Sequence, residues 1–254
     1  MKIVKRLLQL ILVLVVLLVV VVGIFYVKIF TGQMPASSAA LKDGTQPLLD
    51  GYVAAFAVPD GDNKVILVDC GNDKDAKALK AGLAGKTVAA IFLTHGHPDH
   101  VNGCNQFPGV PVYAMKAELD AIEGKEAFAG ALPHAMGAKD SGLRPTGIDD
   151  GADIVVDAVH VHAFAAPGHT KGSAIYAINH TLFFGDASTA TKDGKLEPPV
   201  GPFSDDQELG LRSLAAMPQK LAAAHVDGID TFAFAHSGSI PADMKALAAM
   251  GTSS

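Results

Sequence analysis

Three imidazoles and a carboxylate fall within six residues at His95, His97, Asp99 and His100. Histidine and aspartate are rarely buried unless they are paired or hold a cation. Together they make a donor set suited to Zn2+, Mn2+ or Fe. Their spacing lets His95 and His97 chelate one ion while Asp99 and His100 turn toward a second. The preceding run, Val88 to Leu93, is continuously apolar and of strand length. Gly96 and Pro98 then break regular structure. The donors therefore start where a buried strand ends, a common position for a site.

The same arrangement recurs further along the chain. His169 sits in Pro167-Gly168-His169-Thr170, Asp186 in Phe184-Gly185-Asp186, and His236 in Ala235-His236-Ser237-Gly238. Each follows a short apolar segment. His160 and His162 are different, because they lie two apart on one face of an alternating strand whose other face carries Val159, Val161 and Ala163. A solvated outer face accounts for that pair.

The elements that must position these donors can be outlined. Gly51–Val58 and Lys64–Val68 are expected strands, joined by the turn at 59–63. A helix is expected over Asp73–Ala84, ending at Gly85. A strand at Val110–Ala114 and a helix at Lys116–Ile122 come next. Residues 123–150 lose regular patterning, as a long functional loop or an idle insertion would. Strands return over Ala152–Ala165, Ser173–Ile178, Thr181–Phe184 and Thr231–Ala235, with helices over Glu208–Ala224 and Ala242–Met250. This order suits two packed sheets with helices outside.

The run at residues 95–100 resembles the His-x-His-x-Asp-His signature of the metallo-β-lactamase superfamily. Pro-Gly-His169, Phe-Gly-Asp186 and Ala-His236-Ser-Gly follow in the family's order, and Asp69-Cys70-Gly71 resembles its Asp-Thr-Gly loop. Val101-Asn102-Gly103 departs from the family's common Gly-Gly pair. The resemblance implies an α+β fold, the αβ/βα four-layer sandwich, over nearly all of residues 46–254. It implies that His95, His97 and His169 hold a first metal, that Asp99, His100 and His236 hold a second, and that Asp186 bridges them. Two Zn2+ ions are the expected cofactors, with Mn2+ or Fe as substitutes. Two metals about 3.5–4 Å apart can share a hydroxide that attacks a carbonyl, with Asp99 orienting it or relaying a proton. The expected reaction is hydrolysis of an ester-like bond in a small molecule: a thioester, lactone, β-lactam or phosphoester. The 18 residues after His236 leave no room in this sequence for the C-terminal helical region with which glyoxalase II binds glutathione. Lys125, Lys139 and Arg144 are candidates to grip a substrate carboxylate. Alternatives are a mononuclear iron oxygenase resembling the persulfide dioxygenases, which would use only the first ligand group, and a non-catalytic binding module, which would be expected to have lost ligands.

About half of the 254 residues are apolar and the formal net charge is −6, so disorder is excluded and nucleic acid is not an expected partner. The apolar residues concentrate early. Leu7 to Val27 has Gln9 as its one strongly polar residue, and a helix of that length spans about 30 Å, a bilayer core. Lys2, Lys5 and Arg6 precede it, placing the N-terminus in the cytoplasm and the large domain across the membrane. A cleaved signal would have a shorter apolar stretch with small residues close behind, whereas Ala36-Ser37-Ser38-Ala39-Ala40 lies well beyond. The expected organisation is an anchor at 1–30, a tether at 31–45 and a domain at 46–254. Cys70 and Cys104, the only cysteines, are expected to be two separate buried thiols, with a disulfide as the alternative in an oxidising compartment.

Overall fold

The computed structural model describes residues 2–33 and 35–252. The chain divides into two compact units, Met1–Gln33 and Met34–Ser254. The first unit is one helix, α1 (Lys2–Gly32). Its Val4–Ile24 stretch has a mean hydropathy of 3.4 and buries nothing. It is long and apolar enough to cross a membrane, a property that signal sequences share.

The second unit begins with a segment held against the domain. Leu41 is buried, its N–H donates to Thr45 O, and Asp43 accepts from Thr181 Oγ1 at 2.9 Å. The first sheet then takes β1 (Gln46–Asp50), β2 (Val53–Pro59), β3 (Lys64–Val68), β4 (Thr87–Phe92), β5 (Val112–Met115) and β6 (Thr146–Ile148) in chain order. β1 to β3 pair antiparallel, and β3 to β6 parallel. The second sheet contains β7 (Ala152–Val156), β8 (Val159–Ala165), β9 (Ala174–Ile178) and β10 (Thr181–Phe183). A small ribbon, β11 (Thr189–Ala190) with β12 (Leu196–Glu197), precedes β13 (Thr231–Phe234) and β14 (Gly238–Pro241), which complete the order β14-β13-β10-β9-β8-β7.

Alternation along the strands divides the apolar side chains between two faces. Phe56, Ile66 and Phe92 of the first sheet meet Tyr176, Ile178 and Phe183 of the second in the central layer. The opposite face of the first sheet packs Leu67 and Ile91 against Leu79 and Leu83 of α2 (Lys77–Leu83). Three short helices follow: α3 (Pro98–Val101), α4 (Leu119–Ile122) and α5 (Ala131–Ala135). The far face of the second sheet packs Phe232 and Phe234 against α6 (Gln207–Ala223) and α7 (Met244–Ala249). α6 presents Leu214, Met217 and Leu221 as one buried stripe, each contributing about 1.5–3 kcal/mol by burial. The result is the expected αβ/βα sandwich.

Several elements differ from their sequence outline. β1 was not anticipated, because Leu48-Leu49 is too short an apolar signal. α2 starts late because Asp73 holds the N–H groups of Asp75 and Lys77 in a turn. The 116–122 helix is a 3₁₀ turn leading into α4, and the irregular 123–150 stretch contains α5 and β6.

Cys70 and Cys104 form a disulfide, with Cα atoms 5.2 Å apart, correcting the expectation of separate thiols. Spacing hid this because the contact depends on Gly103, where a Cβ would lie 2.2 Å from Cys70 O. The bare glycine lets the turn after α3 close onto the segment after β3, where Cys70 N also donates to His100 O at 2.8 Å.

Candidate metal centre

The loop after β4 carries His95 and His97, and α3 carries Asp99 and His100. Segments following β8, β10 and β13 bring in His169, Asp186 and His236. All seven side chains meet at one end of the sandwich, in two overlapping groups.

In the first group, His169 Nε2 lies 3.1 Å from His95 Nε2 and 3.0 Å from His97 Nδ1. All three rings are buried. Burial pushes His95 well below the ordinary imidazole range, His97 to about 4 and His169 to about 3. Each is therefore neutral at physiological pH and offers a lone pair.

The second group is rich in carboxylates. His236 Nε2 is 3.2 Å from Asp186 Oδ1 and 3.5 Å from Asp99 Oδ2. His100 Nε2 is 3.4 Å from Asp186 Oδ1 and 3.8 Å from Asp99 Oδ1. Burial opposes charge on His100, but Asp186, Asp69 and Asp99 outweigh it and carry its pKa well above the ordinary value. Asp186 is half-buried, which opposes its charge, yet His236 and His100 hold it well below the usual carboxylate range. Its other oxygen, Oδ2, lies 3.5 Å from His169 Nε2, so this carboxylate touches both groups.

A divalent cation fits both places. Among the described residues, His100 Nε2 and Asp186 Oδ1 of the second group are buried polar atoms without a hydrogen-bond partner, while in the first group His169 Nε2 faces His95 Nε2 and His97 Nδ1 at 3.1 and 3.0 Å. Such atoms are costly unless something binds them. Borderline imidazole nitrogens with carboxylate oxygens suit Zn2+, Mn2+ or Fe.

The supporting residues were less visible in the sequence. Asp69, at φ 62, accepts from Thr94 N at 2.8 Å and Thr94 Oγ1 at 2.7 Å, and its Oδ2 meets His100 Nδ1 at 2.8 Å. His100 is thereby turned so that Nε2 faces the acids. Gly185 makes room for this network, since a Cβ there would lie 2.3 Å from Thr94 Oγ1. Ser204 Oγ sits 3.1 Å from His169 Nδ1, and Tyr52 O 3.0 Å from His236 Nδ1. The Tyr52 ring stacks on His236, and Phe128 meets His97 edge-on. Glu118 is fully buried and accepts from Gly96 N, Gly172 N and Thr170 Oγ1 at 2.8–2.9 Å. It ties the His95–His97 loop to the His169 loop. Burial pushes its carboxyl up to about 7, against the three donors. Asp69 had a sequence signal in its Asp-Cys-Gly loop; Glu118, Ser204 and Phe128 had none.

Two packed sheets with outer helices and a seven-donor cluster at one sheet end define a metallo-hydrolase type of protein. Residues 49–224 match the metallo-β-lactamase superfamily, and the chain belongs to it. It is 31% identical over 160 residues to the "Probable metallo-hydrolase YybB" of Bacillus subtilis (strain 168), a match covering 61% of this chain and 70% of that protein. It is 27% identical over 185 residues to the "Hydroxyacylglutathione hydrolase" of Yersinia pestis (strain Pestoides F), covering 70% of this chain and 63% of that one. Among solved structures, "TTHA1623 in a di-iron-bound form" superposes with a TM-score of 0.56 at 20% identity, over 78% of this chain and 95% of the other.

Proposed function

We propose that this protein is a membrane-anchored, dinuclear metal-dependent hydrolase of an ester-like bond such as a thioester, lactone or β-lactam. The observation that carries this reading is Asp186, whose two carboxylate oxygens each approach a different histidine group. His95, His97 and His169 would hold one cation, Asp99, His100 and His236 the other, and Asp186 both. Zinc is the first choice, with Mn2+ or Fe as substitutes. Such a pair supplies Lewis acidity and lowers the pKa of water toward neutrality. Asp69, Ser204 and the Tyr52 carbonyl fix the imidazole tautomers, which orients the ligating nitrogens. Asp99, partly open to solvent and beside His236, is placed to orient water or pass a proton. A one-iron oxygenase would leave the acid-rich second group without a cation.

Two of the three side chains considered for gripping a substrate carboxylate are already engaged. Lys125 pairs with Glu123 at 2.6 Å and Asp120 at 3.3 Å, and Arg144 with Asp140 at 2.8 Å. This supports a substrate that needs no carboxylate grip from those two. The Leu7–Val27 segment would be the anchor. Its flanking Lys2, Lys5 and Arg6 and the Cys70–Cys104 disulfide independently support an extracytoplasmic domain.

The test is the metal content of the full chain purified in detergent, beside Asp186→Ala. Two divalent ions per chain, with loss in the variant, are expected, followed by hydrolysis in an ester, thioester, lactone and β-lactam screen. One iron per chain, or none after supplementation of a folded sample, would overturn the reading.

A further inference from the structure

The outer face of β7 and β8 carries a third group of metal donors, separate from the seven. His160 and His162 lie two apart on β8, and Asp153 of β7 stands directly opposite His162 in the antiparallel register. His160 Nδ1 is 3.1 and 2.9 Å from the two Asp153 oxygens, and His162 Nδ1 is 3.7 Å from Oδ1. The two imidazoles lie nearly parallel, with centroids 5.9 Å apart, so they present the same ring nitrogen to one carboxylate. One potential ligand atom from each residue fits within 4.8 Å of the others.

The His160–Asp153 separations are those of a hydrogen-bonded pair in the metal-free protein, and the His162–Asp153 separation is longer, so small side-chain shifts bring the three ligand atoms to the spacing that a cation requires. Ligands about 2.0–2.1 Å from a tetrahedral Zn2+ stand about 3.4 Å from one another, the middle of the observed range. The surroundings reinforce this. Asp149, Asp150 and Asp157, on the flanks of the same hairpin, each pair with a lysine: Lys116, Lys220 and Lys64. Among the described residues, the ion-pair partners of Asp153 are the two histidines alone. Strand pairing fixes all three backbones before any ion arrives, which reduces the ordering cost of binding.

We propose that Asp153, His160 and His162 form a peripheral site for a borderline divalent transition metal, Zn2+, Ni2+ or Cu2+, with water in the open position. From the sequence the two histidines read as a solvated face, and the cross-strand carboxylate supplies what that reading lacked. Among these metals Cu2+ should bind tightest.

The experiment is equilibrium dialysis of the metal-stripped full chain in detergent against Zn2+ and, separately, Cu2+, with bound metal counted by mass spectrometry. Five proteins are compared: wild type, His160→Ala/His162→Ala, Asp186→Ala, the triple variant of these three changes, and Asp153→Asn. The proposal expects the double histidine change to remove one equivalent in both backgrounds, and Asp153→Asn to weaken that equivalent about tenfold or more. Identical stoichiometry with and without the two histidines, for both metals, would overturn it. The Asp186 background reports the main centre separately, so failure of one assignment leaves the other readable. The side chains replaced are exposed or half-buried, and far-UV circular dichroism of the variants confirms that they remain folded.

Discussion

Replacing both cysteines, Cys70→Ser with Cys104→Ser, tests whether the disulfide holds the centre together. The bridge joins residues 34 apart in sequence. Loop-closure entropy for that length is about 12–13 cal/mol/K, or about 4 kcal/mol at 25 °C, taken from the unfolded state. A loss of that order is large beside a typical total stability of about 5–15 kcal/mol. The bridge also spans the segments that position one donor, since Asp69 precedes Cys70 and bonds His100, while Cys104 follows the helix that carries His100. The variant should therefore lose affinity for the second cation before the first. Unfolding is measured by urea titration of the metal-free full chain in detergent. The chain has four Tyr and no Trp, so tyrosine fluorescence reports it, and buried Tyr176 is the principal probe. Metal retention is measured in parallel against a graded chelator. A stability loss below about 1 kcal/mol, with both cations retained as in wild type, would refute the reasoning.

Asp69→Asn should weaken the second cation about 10–100-fold and spare the first, read by chelator competition, because His100 loses the acceptor that fixes its tautomer. Glu118→Gln should destabilise by about 1–3 kcal/mol, because an amide N–H₂ must face one of three donors. Wild-type Glu118 keeps its proton to about pH 7, so the stability it adds is present below about pH 4.5 and lost as pH rises through 7. The Gln variant should flatten that slope in urea titrations across this window. His97 and His169 act in the opposite sense. Their folded values of about 4 and about 3 lie below the unfolded value near 6.5, so the metal-free protein should weaken as pH falls from 6.5 toward 4. The loss is about 3 kcal/mol for His97 alone. A flat acid limb in the metal-free Glu118→Gln protein, where the opposing Glu118 contribution is absent, would refute that assignment.

What the sequence made legible follows from how each residue makes its contacts. The strands that deliver the donors, Val88–Leu93 and Thr181–Phe184, are buried on both faces, and such strands read as unbroken apolar runs. The donors that follow are polar groups at points where regular structure must stop, so type and position reinforce each other. His95, His97, Asp99, His100, His169, Asp186 and His236 could all be singled out for that reason, and the structure brings all seven together. Cys70 and Cys104 were seen, but their pairing depends on a Gly103 backbone approach that no spacing encodes. Glu118 left no trace, because one acid in Lys116–Ile122 looks like a solvated helix residue. Its role exists only once the loops at Gly96 and Gly172 lie on either side of it. The pair His160 and His162 shows the same limit from the other side. Periodicity placed them on one face, but only the register with β7 set Asp153 opposite His162 and within reach of His160. A ligand that ends its own strand can be read locally, whereas a residue that acts by joining two distant loops becomes visible only in the fold. The groups most in need of direct test are therefore Asp69, Glu118 and the Cys70–Cys104 bridge, which determine how rigidly the legible donors are held.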